Sequence, residues 1–268
     1  MNNKTISLLI PLYNEEKRIE KTVNALLEGF NYKNLTLEKV IFVSDGSKDT
    51  TVEKVNSYKS QLENALKAEV VVASYEINRG KGHAIKYGMQ FSNSDYTLFF
   101  DADMATPLNQ IEKFIPFMNE GIPVIIGTRK NGHSTVVVHQ PKIREVLGKG
   151  FTYLTNIMLN TWVTDFTCGF KAFSREAKDA VFPRSMIDRW SYDAEIIFLS
   201  RKLGFEIQEK PVVWADDKNS KVKILKSVYT SLKELLQIRF CHLSGKYNLN
   251  ERHNSLFDLL NLSTVKSV

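Results

Sequence analysis

Asp101 and Asp103 stand on either side of Ala102, directly after the apolar run at 96–100. Such a run reads as a buried strand, and a strand turns residues i and i+2 to one face. Both carboxylates therefore arrive together at the strand's C-terminal end. Like charges so placed repel, and they are costly to desolvate unless a cation joins them. A divalent metal that also holds a diphosphate suits the pair. The competing reading is an Asp-x-Asp in an ordinary turn.

Two further clusters follow apolar runs. Asp45-Gly46-Ser47-Lys48-Asp49 comes after 40–43 and opens a helical pattern. An Asp there can accept from a base or a ribose, and a turn with a helix cap is the structural alternative. Asn78-Arg79-Gly80-Lys81-Gly82 sets two cations among two glycines. That loop lets backbone approach phosphate while Arg79 or Lys81 neutralises it, or it is a solvated turn. No GxGxxG or GxxxxGK[ST] is present, so the dinucleotide and P-loop fingerprints both fail.

The elements that must position these groups alternate. Apolar runs at 6–10, 40–43, 70–73, 96–100 and 124–127 read as strands, the first stopped by Pro11. Helical spacing covers 15–30, 49–66, 82–91 and 109–120, with Asp49 and Thr50 able to cap the second. This order predicts an α/β fold with a mostly parallel sheet flanked by helices. In such sheets ligands bind beyond the carboxyl ends of the strands, and the polar clusters all fall there. Past 127 the pattern loosens to a helix at 192–203, a strand at 206–214, and amphipathic stretches at 146–163 and 220–240.

The chain has 268 residues, 43% hydrophobic, with 16 Phe and 10 Tyr, enough for one large domain. The expected division is a domain over 1–246 and a tail over 247–268. The two cysteines, Cys168 and Cys241, form no CxxC, which argues against structural zinc and fits a reducing compartment. No signal peptide precedes the first strand, and no run of about 20 apolar residues appears. Net charge is +6, unevenly spread. Residues 129–149 hold five Lys or Arg against one acid and 218–246 hold seven against one, a local +10 that leaves the remainder at −4. That asymmetry predicts an anionic partner surface. Charge alone leaves membrane phosphates, a phosphorylated substrate and nucleic acid open, but no RRM, KH or helix-turn-helix pattern supports nucleic acid.

Taken in order, Pro11-Leu12-Tyr13-Asn14-Glu15, the Asp45 cluster, the Asn78 loop and Asp101-Ala102-Asp103 resemble family 2 glycosyltransferases of the GT-A fold. Thr164–Lys171, Arg189-Trp190-Ser191-Tyr192-Asp193 and Asn219-Ser220-Lys221 resemble the dolichyl-phosphate glucosyltransferase branch among the polyprenyl-phosphate hexosyltransferases. The resemblance runs from about residue 7 to 240. It implies that Pro11, Tyr13, Glu15 and Asp45 hold the nucleotide's base and ribose. It places Arg79 and Lys81 near the nucleotide and sugar, and Mg2+ or Mn2+ on Asp101 and Asp103. It gives Arg129 and Arg144 the lipid phosphate. Ser220 and Lys221 would fold over the diphosphate, with Asp165 and Asp193 near the donor sugar.

Two departures matter. The mannosyl branch usually has Gln two residues past the second Asp, where this chain has Ala105, which favours the glucosyl branch or a more hydrated metal. The N-terminal anchor usual in dolichyl-phosphate glucosyltransferases does not precede residue 6, so the expectation is peripheral attachment on the cytoplasmic face of a membrane. The segments 146–163 and 220–240 are then candidate interfacial helices, each equally able to face the core. Arg189-Trp190 resembles the end of the QxxRW of processive synthases, but Met186 occupies the Gln position.

The resemblance implies inverting, metal-dependent transfer of a hexose, glucose from UDP-glucose, to a dolichyl or polyprenyl phosphate. Three alternatives remain open at this level. They are a GDP-mannose-dependent polyprenyl-phosphate mannosyltransferase, a family 2 enzyme with a glycan acceptor, and a non-catalytic nucleotide-binding protein.

Overall fold

The computed structural model describes residues 3–130, 134–138, 142–215 and 224–249, with backbone alone for 136–138, 142–147 and 224–228. Nine strands are described: β1 (Lys4–Leu12), β2 (Leu35–Asp45), β3 (Glu69–Tyr75), β4 (Tyr96–Phe99), β5 (Val124–Thr128), β6 (Thr135–Val138), β7 (Lys171–Ser174), β8 (Ile207–Pro211) and β9 (Val213–Ala215). Eight α-helices accompany them: α1 (Ile19–Leu27), α2 (Thr51–Leu66), α3 (Lys81–Met89), α4 (Ile115–Asn119), α5 (Lys142–Leu159), α6 (Arg175–Val181), α7 (Tyr192–Lys202) and α8 (Ile224–Leu243).

Seven strands form one sheet in the order β3-β2-β1-β4-β7-β5-β8, and β6 pairs with β9 separately. All pairings in the large sheet are parallel except those of β7, which runs against both β4 and β5. Successive residues of β1 and β2 enter opposite cores. Leu8, Ile10, Val40 and Phe42 pack on one face, and Leu9, Ile41 and Val43 on the other. Both faces are therefore covered, which is why these strands read as continuous apolar runs.

The structure adjusts several expectations. β1 runs through Pro11 to Leu12. The Leu9 carbonyl accepts from Phe100 N on the β4 side. Pro11 lies past the last residue of β1 that pairs with β4, so the N–H that proline lacks breaks no paired rung of that ladder. The helix expected over 109–120 is instead a 3₁₀ segment, Leu108–Lys113, and the short α4. Pro116 sits in the first turn of α4, where it removes a backbone donor and disfavours helix in the residue before it. The strand expected over 206–214 divides at Val212 into β8 and β9, which join different sheets. Strands β6 and β7 and helix α6 had no counterpart in the sequence pattern. Tyr247 is buried and donates to Glu195 Oε1 at 2.7 Å, so the packed chain continues past 246. Among the described residues no helix is long and apolar enough to cross a membrane.

Candidate active site

Strands β1, β2, β4 and β5 point the same way, so the segments that follow them share one edge of the sheet. Because β7 is antiparallel, its first residue, Lys171, reaches that edge too. There the structure gathers Pro11, Tyr13, Glu15, Asp45, Arg79, Lys81, Asp101, Ala102, Asp103, Arg129, Asp165 and Asp193.

Asp45 organises the loop after β3. Its carboxylate accepts from Tyr75 Oη at 2.9 Å, Asn78 Nδ2 at 2.8 Å, Arg79 N at 2.7 Å and Gly80 N at 2.8 Å. Gly80 has a φ of +118°, and a Cβ there would meet the Asp188 carbonyl at 2.5 Å. Only glycine combines that backbone with that approach. Asp45, expected to hold the nucleotide, thus has its acceptors taken by the loop carrying Arg79 and Lys81. The 11–16 loop is stitched to the loop after β2 by Asn14 N to Ser47 Oγ at 3.1 Å and Glu15 N to Thr51 Oγ1 at 2.8 Å. Glu15 also pairs with Arg18 at 2.6 Å, and Tyr13 is exposed.

At the end of β4, Met104 N donates to the Asp101 carbonyl at 3.1 Å, closing a turn in which Met104 has a φ of +54°. Left-handed backbone at a non-glycine residue is strained and is held by its surroundings. Asp103 Oδ1 accepts from Ala105 N at 2.9 Å. Lys81 Nζ forms an ion pair with Asp101. Burial, with the Asp101 charge adding to it, pushes the Asp103 carboxyl above its usual range. Burial opposes ionisation of Asp101 as well, but the Lys81 ammonium outweighs it and holds that carboxyl low.

These residues fit a divalent cation. Among the described residues Asp103 forms no ion pair, and Lys81 supplies on Asp101 the kind of charge a metal would. Among the described residues no group of three or more His, Cys, Asp or Glu is gathered for a metal. Two carboxylates with the remaining ligands from phosphate and water is a usual arrangement for Mg2+. A second sign of a ligand lies beside Lys81. Tyr192 is 4% exposed, and its hydroxyl has no hydrogen-bond partner. Buried polar groups are rarely left so.

Asp165 is fully buried under Arg129, whose Nε and Nη2 donate to it at 2.7 and 2.9 Å. Lys130 approaches at 3.4 Å, and Arg129 also lies over the Trp214 ring at 5.1 Å. Burial disfavours the Asp165 charge, but Arg129 and Lys130 drive its carboxyl far below the usual range. Asp165, expected near the donor sugar, orients two cations, which together exceed its charge by one. Asp193, at the start of α7, is paired with the buried Lys171. The side chain of Arg144 and all of Ser220 and Lys221 lie outside the described residues.

Lys171, Tyr192, Gly169 and Lys130 were given no role by sequence reasoning. Gly169 and Lys171 belong to a segment whose resemblance was visible, but a lysine in a short run reads as solvent-facing. Its partner lies 22 residues away.

The match to known proteins follows the same geometry. Residues 7–182, from β1 through α6, match the family described as Glycosyl transferase family 2. The chain belongs to glycosyltransferase family 2. A dolichyl-phosphate beta-glucosyltransferase of Dictyostelium discoideum is 30% identical over 258 residues, covering 93% of this chain and 78% of that protein. A Homo sapiens protein of the same description is 30% identical over 259 residues, with 92% and 79% covered. Among solved structures, the glucosyl-3-phosphoglycerate synthase of Mycobacterium tuberculosis with Mn2+, UDP and glucosyl-3-phosphoglycerate aligns with a TM-score of 0.58 at 18% identity, covering 88% of this chain and 80% of that one. The family 2 chain thus has the GT-A fold and is a glycosyltransferase.

Proposed function

We propose that this glycosyltransferase moves glucose from UDP-glucose to a dolichyl or other polyprenyl phosphate, with Mg2+ or Mn2+ and with inversion at the anomeric carbon. One observation carries the proposal: relatives described as dolichyl-phosphate beta-glucosyltransferases share 30% of their residues with more than nine tenths of this chain.

The geometry supports that reading. Asp101 and Asp103 would hold the metal, which when bound supplies positive charge to the leaving diphosphate. Arg79 and Lys81, on the loop that Asp45 shapes, face the same charge. Pro11, Tyr13 and Glu15 line the strand end beside them, where base and ribose would lie. The Arg129–Lys130 pair, one charge in excess over Asp165, suits an acceptor phosphate. A phosphate monoester has its second pKa near ~6, so at neutral pH it is already a nucleophile and needs no base. Asp193 would then orient the sugar. Attack by an external phosphate on an α-linked donor gives a β-linked product.

A hydrophobic acceptor would be met at a membrane, and the helices offer a surface. On α8, Leu235, Ile238 and Cys241 face the core, while Tyr229, Leu236, Phe240 and Leu243 are exposed along one stripe. On α5, which packs beside α8, Tyr153, Leu154 and Ile157 are exposed, and Trp162 follows. Apolar stripes with nearby cations suit an interfacial helix on anionic lipid. The cytoplasmic face is the proposed location.

The test is a panel of labelled nucleotide sugars, UDP-glucose and GDP-mannose among them, incubated with polyprenyl phosphate and Mg2+ or Mn2+. Transfer from UDP-glucose to the lipid is the expected result. Transfer only from GDP-mannose, or only to glycans, would replace this reading.

A further inference from the structure

Lys171 opens β7, an inner strand, opposite Phe99 of β4 and Ile126 of β5, with none of its surface exposed. An ammonium removed from water needs charge and hydrogen-bond partners. Lys171 Nζ finds three: Asp193 Oδ1, the Cys168 carbonyl at 2.7 Å, and the face of Phe99 at 5.5 Å. Of these only Asp193 carries the opposite charge. A well-packed apolar side chain of similar length would stabilise a sheet centre at least as well as a buried ion pair. Packing therefore gives no reason for the charge.

Asp193 gives one. Its Oδ1 is held by Lys171. Its Oδ2 accepts no hydrogen bond, yet it is not among the buried unpartnered side-chain atoms, which among the described residues are Arg184 Nε, Tyr192 Oη and His242 Nδ1. Oδ2 therefore keeps some exposure within a side chain that is 9% exposed. Its neighbours mark the direction. Tyr192, with its unpartnered hydroxyl, precedes it in α7. Lys81, paired to Asp101, lies over the Tyr192 ring at 5.8 Å. Lys171 Nζ also holds the Cys168 carbonyl, and the next residue, Gly169, abuts Asp101, so the Asp193 carboxylate lies on the Asp101 side of the site.

We infer that Lys171 is a positioning residue that clamps Asp193 Oδ1, so that Oδ2 is presented to a hydroxyl of the transferred sugar. The inference rests on the proposed function, since it needs a nucleotide sugar as donor. Lys171 itself touches no ligand, and it acts through the carboxylate it fixes.

The test compares Lys171→Met, Asp193→Asn and the double variant in the full chain. It measures calorimetric binding of UDP and of UDP-glucose with Mn2+, and steady-state transfer to polyprenyl phosphate. Each single variant is expected to bind UDP within about 2-fold of the parent and to lose the extra affinity contributed by glucose. Its kcat/KM should fall on the order of 100-fold, the scale of a misplaced catalytic contact. The double variant should be no worse than Asp193→Asn alone within about 3-fold, because both substitutions remove one coupled interaction. Equal weakening of UDP and UDP-glucose by Lys171→Met would show a merely structural lysine and overturn the inference. So would a further loss of about 10-fold in the double variant over Asp193→Asn. If Lys171→Met does not fold, the double variant, which leaves no unpaired buried charge, decides by that second comparison. A parent that binds no UDP-glucose would remove the proposed function. A parent that binds it, with a Lys171→Met variant indistinguishable from it, would remove only this inference.

Discussion

Gly169 lies against Asp101 with no room for a side chain between them. A Cβ on Gly169 would stand 2.7 Å from Asp101 Cγ and nearer still to Oδ2. The contact is with the end of a side chain, so the fold can yield by turning the carboxylate away. Gly169→Ala should therefore cost little stability and much activity. A displacement of about 1 Å at such a group is worth roughly 100-fold in rate. Thermal melting beside kcat at increasing Mn2+ checks this; a variant that melts far lower, or turns over normally, would contradict it.

Tyr192→Phe removes only the unpartnered hydroxyl. Burial, with the Asp193 charge adding to it, raises the phenol's pKa well above the ordinary value, so at neutral pH the group is a donor awaiting an acceptor. Its nearest polar neighbour is the Lys81 ammonium, which makes no close hydrogen bond to it, so the variant should match the parent in stability within about 1 kcal/mol. Donor affinity should fall at the same time. Denaturant melts and UDP-glucose titration measure the two halves separately.

Asp165→Asn would leave Arg129 buried without its counter-charge. Breaking such a pair from one side costs about 3–5 kcal/mol. The pH dependence follows from the lowered Asp165 pKa. A carboxyl lower in the folded than in the unfolded state stabilises fully above the unfolded value, 3.8, and progressively less as pH falls below it. The stability gap between parent and variant should thus be constant above about pH 5 and narrow below pH 4. Urea unfolding at a series of pH values reads it directly.

Leu236→Glu with Phe240→Glu changes two side chains that are each 62% exposed. The fold should melt as before. Sedimentation with anionic vesicles should drop by at least 10-fold, since two apolar contacts are lost and two negative charges gained. Use of a short, water-soluble isoprenyl phosphate should be unchanged. In the parent, high salt should release the protein from those vesicles.

The strand-end carboxylates were largely legible in the sequence. Asp45, Asp101 and Asp103 follow apolar runs that both cores bury, so their place at a strand end could be read from hydropathy alone. The Lys171–Asp193 pair was not. β7 is four residues long and contains a lysine, and its antiparallel sense leaves no mark in composition. What Asp45 and Asp165 bond to was equally hidden, because a carboxylate's partners are set by loops distant in sequence. In α8 both faces are apolar, so periodicity found the helix but could not say which side packs. The structure turns Tyr229 and Leu236 outward and extends their stripe to Phe240 and Leu243.

The inner side of α8 reaches further than its packing. Glu234 Oε2 accepts from Ser191 N at 2.7 Å, and Ser191 Oγ donates to the Ser231 carbonyl at 3.2 Å. Ser191 is the residue from which α7 starts, with Tyr192 and Asp193 next. The two helices are thus mechanically in series. Under the proposed attachment, whatever grips α8 from outside pulls on the anchor of the sugar-facing carboxylate. Detergent micelles, flat bilayers and small vesicles would each apply a different tension. Turnover numbers gathered on different supports then describe differently strained enzymes, and they are comparable only when the support is held fixed.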